Sequence, residues 1–280
     1  MLVKRVVTGL ASAAIAIAAL GFFARPISSP AHSDITHVTA VRAGGGDVPA
    51  NLLRVYIELS APMEPGSAYE HIHLMAADGR EVQDAFLELR EELWTPDHRR
   101  LTLLFDPGRV KRGIRANVEM GTPLVEGGRY RLVIDSAWRD ARNVTLAASY
   151  AQELRVAGFD SVLPDPSRWR ISAPRSSSLD TLRVEFGEAL DHALAARLIT
   201  VVDRRGSRFV GRAALSADDR MWTFVPSIPW ATGARLRIEP ALEDLAGNNL
   251  VRPFDSGRLG GAEQAVVDTL PRFLPIRVSS

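Results

Sequence analysis

The sequence has no cysteine. That excludes disulfides, iron–sulfur clusters, c-type haem attachment, thiol catalysis and cysteine-ligated zinc. It also excludes the lipid-modified cysteine of a bacterial lipoprotein. Lysine is nearly absent: Lys4 and Lys111 stand alone among 34 basic residues, the rest being arginine. Neither lysine follows a glycine, so there is no phosphate-cradling Gly-Lys-Ser/Thr loop, and there is no Ser-x-x-Lys acyl-enzyme motif. Net charge is also lacking. At +1 over 280 residues the chain carries no basic surplus for nucleic acid. Gly-x-Ser-x-Gly, His-Glu-x-x-His and Asp-Thr-Gly are missing as well. No catalytic residue is assigned, no cofactor is implied, and a non-enzymatic protein is expected.

What is present begins with an address. Lys4 and Arg5 precede an uncharged stretch, Val6 to Ala24, and Ser29-Pro30-Ala31 places small residues before His32. This is the pattern of a secretory signal peptide over residues 1–33, cleaved before His32. The alternative is an uncleaved anchor, with residues 6–24 as the only membrane contact. Either way the remainder is expected outside the cytoplasm, periplasmic or at the cell surface. Removing residues 1–31 takes away Lys4, Arg5 and Arg25 and no acid, which turns +1 into −2.

The body alternates with period 2. Leu53, Val55, Ile57 and Leu59 interleave with Arg54, Tyr56 and Glu58. Similar runs follow at 101–105, 130–134, 182–186 and 235–238, each predicting a strand with one buried face. Ala-Asp-Gly (77–79), Asp-Pro-Gly (106–108), Glu-Gly-Gly (126–128), Arg-Gly (205–206) and Ala-Gly-Asn (246–248) separate the runs as turns. Asp191–Arg197 and Glu64–Tyr69 each suit a single helical turn.

The chain repeats itself. Leu53–Met63 aligns with Leu182–His192, Leu74–Gly79 with Val201–Gly206, Gly127–Leu132 with Thr232–Arg237, and Asp140–Asn143 with Asp244–Asn248. Four segments in one order predict two copies of a domain, at 34–160 and 166–262, followed by a tail at 263–280. The expected class is all-β, two tandem antiparallel β-sandwiches. The Ser60-Ala-Pro-Met63 strand end, the Asp78-Gly79 hairpin, the Gly127-to-Leu132 strand and the Asp244-Leu-Ala-Gly-Asn248 turn resemble the bacterial Ig-like domain of S-layer and other exported proteins (the SbsA-type family). The resemblance covers about 200 residues. It implies an Ig-like sandwich in a cell-envelope protein, used as a structural or adhesive binding module with an envelope protein or polysaccharide as partner, and no shared catalytic residues.

Three features carry candidate chemistry. His71 and His73 lie two apart, so on a strand both imidazoles share a face and could meet one Cu(II) or Zn(II), with Glu58 or Glu70 beside them. This alternative makes the chain a periplasmic metal-binding protein. The basic stretch Arg109, Lys111, Arg112 and Arg115 lies in an insert found only in the first copy, and suits contact with phosphate or carboxylate. The tryptophans are the third. Trp94, Trp138 and Trp230 lie near turns, where exposed rings could stack on sugars as in a glycan-binding accessory module; Trp169 and Trp222 fall in strand patterns and are expected in the core. The Asp244 turn has a structural explanation in side chains bonding nearby N–H groups. Calcium there would need six to eight oxygens, and only Asp244, Asn248, Asn249 and Glu243 are local.

Overall fold

In the computed structural model, residues 35–255 and 270–279 are described. The signal or anchor segment 1–33 and residues 263–269 of the tail lie outside them. Among the described residues no helix is long and apolar enough to cross a membrane.

The strands form where the period-2 pattern places them. In chain order they are β1 (Val38–Arg42), β2 (Asp47–Val48), β3 (Arg54–Leu59), β4 (Ile72–Ala76), β5 (Leu93–Trp94), β6 (Arg100–Leu104), β7 (Arg129–Ile134) and β8 (Tyr150–Val156). They assemble as two four-stranded sheets, β1-β3-β6-β5 and β4-β7-β8-β2. All pairs are antiparallel except β2 with β8. Val55, Ile57, Leu101 and Leu103 of one sheet and Leu74, Leu132 and Ile134 of the other close on a single core. Each such side chain contributes ~2 kcal/mol on burial. Trp138 and Met63 are fully buried in this core.

The second half repeats the plan. It contains β9 (Arg170–Ile171), β10 (Leu182–Glu185), β11 (Ile199–Val202), β12 (Gly211–Leu215), β13 (Met221–Pro226), β14 (Arg235–Ile238) and β15 (Arg272–Pro275). The sheets are β9-β10-β13-β12 and β11-β14-β15. Their shared core holds Leu182, Val184, Trp222, Phe224, Val201 and Leu236. β15 lies beyond residue 262, so part of the 263–280 tail supplies an edge strand to the second sandwich. Ile35–Ser280 forms one compact unit that contains both cores.

The two cores follow one strand plan, and the register that burial gives differs from the sequence alignment. Leu132 faces the first core and Leu236 the second, whereas matching Gly127 to Thr232 would set Leu132 against the outward Arg237. A one-residue slip exchanges the faces of a strand, so burial corrects the alignment by one. Likewise Met63 bridges to Asp140 and Leu190 bridges to Asp244. Leu190, not His192, therefore takes the place of Met63, and both are buried.

Helices are few. Asp191 caps α3 (His192–Leu198), its side chain accepting from Leu194 N at 2.9 Å, as its position before the expected turn suggests. In Glu64–Tyr69 only the last two residues are helical, as the start of a short 3-10 turn at Ala68–Glu70. Asp-Pro-Gly at 106–108, read as a turn, opens a short helix. Asp106 caps α1 (Pro107–Val110) with Pro107 in the first turn, a place proline favours because its missing N–H is not needed there. α2 (Arg115–Met120) follows and buries none of its residues.

Candidate functional site

The joint between the two sandwiches gathers most of the buried polar chemistry. Arg54 and Tyr56 sit at outward positions of β3, where the alternation alone predicts solvent. Instead they meet the second sandwich. Tyr56 Oη donates to both carboxylate oxygens of Asp191, at 2.7 and 2.8 Å. Arg54 Nε lies 3.4 Å from Asp191 Oδ2, and its other end pairs with Glu243. Burial, then the Asp191 carboxylate, push the Tyr56 phenol well above its usual range. Burial disfavours the Arg54 cation, but Asp191 and Glu243 outweigh it and raise the guanidinium further. Burial also raises Glu243, against the pull of Arg54. Beside this network His192 Nδ1 lies 2.6 Å from Asp219 Oδ1, while its Nε2 stands 3.8 Å from Glu58, which is held by Arg42 at 3.2 Å.

The connecting segment is gripped from both sides. Asn51 of the first sandwich exchanges two hydrogen bonds with the Asp160 backbone, at 2.7 and 2.8 Å. Asn248 of the second donates to the carbonyls of Asp160 and Val162, each at 3.3 Å. Leu53 N donates to Leu245 O at 2.9 Å. At this contact Gly247 has φ +81°, and an added Cβ would fall 2.5 Å from Leu53 Cδ2, so both conformation and space require glycine.

Asp160, Glu188 and Asp244 bring carboxylate oxygens within 4.8 Å of one another. Burial, then Asp160, lift Glu188 to about 7, against Arg220 and Arg168. Burial lifts Asp244 to about 7 too; hydrogen bonds from Asn248 oppose the shift, and Asp160 and Glu188 add to it. Both Asp244 oxygens already accept within the turn, from Ala246 N, Asn248 N and Asn248 Nδ2. The turn explanation of this motif therefore describes its bonding. The local calcium set does not assemble: Glu243 turns to Arg54, and Asn249 Oδ1 accepts from Val251 and Arg252 N–H. Three carboxylates could share one hard divalent ion but fall short of a calcium shell.

A groove of about 520 Å³ opens beside the trio. Trp169 and Phe186 line it, their rings 4.6 Å apart, with Arg168, Arg170, Asp165, Glu185 and Glu188 around them. Nothing in the sequence pattern marks this groove, because its walls come from the connecting segment, the start of β9 and the end of β10.

His71 closes the 3-10 turn and stacks on Trp138, rings 6.4 Å apart and 25° from parallel. His73 lies on β4 with Nδ1 2.7 Å from Glu81 Oε1. The two imidazoles thus have separate partners, and Glu58 is engaged at the joint. Arg109 is buried and acts as a clamp: Nη1 donates to Gln83 O and Asp84 O, Nε to Gly121 O and Nη2 to Met120 O. Lys111 Nζ sits 4.4 Å over Phe254, Arg112 stacks 3.8 Å over Phe159, and Arg115 pairs with Glu119 at 2.8 Å. Trp138 and Trp230, near turns as read from the sequence, are buried and offer no exposed stacking face. Turns at the ends of a sandwich close its core, so a turn tryptophan points inward; Trp230 stacks on Phe209 at 5.1 Å. Trp94 is half-buried, its Nε1 donating to Glu92 at 2.6 Å.

The Arg109 clamp carries a direct prediction. Arg109→Ala strands four carbonyls at one stroke and is expected to lower unfolding free energy by about 2–4 kcal/mol. Arg109→Lys recovers only part of this, because an ammonium lacks the planar fork. Urea unfolding followed by tryptophan fluorescence reads both. A loss below about 1 kcal/mol, the ordinary size of a surface change, would refute the clamp.

No family model matches the chain, and no curated protein matches it. Among solved structures it is similar to the surface layer protein SbsC, domains 1–6, at 10% identity and TM-score 0.33, over 88% of this chain and 26% of that one. It is similar to the MG0-NIE-MG1 part of native alpha-2-macroglobulin from Escherichia coli, at 10% identity and TM-score 0.29, over 87% and 72% of the respective chains. A third similarity is to SGBP-B from a complex xyloglucan utilization locus in Bacteroides uniformis, at 14% identity and TM-score 0.26, over 87% and 49%. The chain spans about a quarter of the SbsC structure's length. At these scores the likenesses carry no inference about function.

Proposed function

We propose that this chain is a non-enzymatic, exported cell-envelope protein in which two Ig-like sandwiches act as one structural or binding module. The observation that carries the reading is the joint. Two cores are joined through Arg54, Tyr56, Asp191 and Glu243, which face each other across the contact. An arrangement of this kind holds two surfaces at a set relation, and the groove beside it presents arginines and carboxylates over an aromatic floor. The N-terminal pattern supports delivery to the envelope. The partner is an envelope protein or polysaccharide, and the groove is its contact.

Co-sedimentation tests this. The exported chain is expected to pellet with peptidoglycan sacculi or outer-membrane fragments at micromolar concentration. Arg168→Ala with Arg170→Ala is expected to weaken retention about tenfold, or ~1.4 kcal/mol. Retention unchanged in that variant would remove the groove as the contact. No retention on either material would remove the envelope-binding reading.

A further inference from the structure

The insert of the first sandwich has no counterpart in the second. Residues 105–128 link β6 to β7, whereas residues 227–234 link the equivalent β13 to β14. The insert contains α1 and α2, and it lies against the joint. We propose that it is a strap that fixes the angle between the two sandwiches.

The strap is anchored at its base and bonded at its tip. Arg109 rivets it to the first sandwich through the carbonyls of Gln83 and Asp84, while Asn117 Nδ2 returns to Arg109 O at 2.6 Å. The next two side chains cross to other parts of the chain. Arg112 lies flat over Phe159 of the connecting segment at 3.8 Å, and its Nε donates to Asp255 Oδ2 at 2.9 Å. Lys111 Nζ covers Phe254 at 4.4 Å. Phe254 N in turn donates to Asn248 Oδ1, the residue whose amide holds the connecting segment. One short insert thus bonds to the first sandwich, to the connection and to the segment that follows the second sandwich's aspartate turn. This accounts for an insert whose second helix buries none of its own residues: it is ordered by what it holds. It also gives the basic stretch a role other than anion binding. The inference rests on the reading of the joint as fixed.

The absence of cysteine makes the test clean. Ala151→Cys on β8 and Ala213→Cys on β12, both exposed, take one spin label each in the full chain. Pulsed dipolar spectroscopy is expected to give one narrow distance distribution. K111A/R112A is expected to broaden it about twofold, and to speed proteolysis within residues 157–168 about fivefold, in keeping with the loss of two cation–π contacts and an ion pair. Phe159→Leu, which keeps bulk and removes the aromatic face, is expected to broaden it as well; R112K should fall between. A width and cleavage rate unchanged in both K111A/R112A and Phe159→Leu would overturn the strap while leaving the fixed joint intact. A broad distribution in the parent labelled protein would overturn the fixed joint, and the strap with it.

Discussion

Replacing Arg54 with alanine is expected to cost about 3–5 kcal/mol and to split a single unfolding transition into two. The reason is geometric. Asp191 is buried, and Glu243 is partly so, and Arg54 is the cation set between them. Tyr56 Oη and Leu194 N would still donate to Asp191, but two carboxylates would face one another in a poorly solvated contact without a positive charge. Removing one partner of a buried pair is far more damaging than replacing the whole set. Arg54→Ala combined with Glu243→Gln should therefore recover part of the loss. Differential scanning calorimetry reads both effects. A loss under about 1 kcal/mol, typical of an exposed pair, would show that the network lies in water and does not couple the sandwiches.

Stability is expected to fall as pH rises from 5 to 8. Glu188 and Asp244 are both lifted to about 7 by burial, with Asp160 adding to each. Their carboxyls hold protons in the folded chain at pH values where the unfolded chain has released them. Stability from the neutral forms is complete below the unfolded values near 4 and is lost as pH passes through about 7. Because Glu188 is partly exposed, the combined effect is about 2 kcal/mol after screening is allowed for. Glu188→Gln removes the ionisation and should be more stable than the parent at pH 8 and indistinguishable at pH 4. Melting temperatures at the two pH values decide it: equal slopes in parent and variant would show that the trio carries no charge strain.

The sequence shows the sandwiches more readily than the joint, for one physical reason. A strand with a single buried face announces itself by alternation, and β3, β6, β7, β10 and β14 all do so. Alternation also labels the opposite face as polar and therefore wet. Arg54 and Tyr56 obey that label chemically and defy it spatially, since their polar face meets another polar face. Nothing in Leu53–Leu59 separates an exposed edge from such an interface. Glycines misled in a similar way. Aligning Gly127-Gly128 with Thr232-Gly233 is natural by composition, but turns tolerate slips that a buried strand does not. The insert was visible as extra length and charge, yet its helices were not, because a six-residue helix that buries nothing has no apolar period to detect. β15 was hidden by its own composition: in Arg-Phe-Leu-Pro only Leu274 packs on the core.

The two aspartate turns share one bonding pattern. Asp140 accepts from the N–H groups of residues 142 and 144, and Asp244 from those of 246 and 248. Each turn also reaches the segment leading into its own sandwich. Asp140 receives the Thr36 hydroxyl at 2.6 Å, and Asn248, bonded to Asp244, holds the carbonyls of Asp160 and Val162. Each sandwich is therefore built together with a grip on the chain that enters it, so a pull on that chain would meet the aspartate turn before it met the strands.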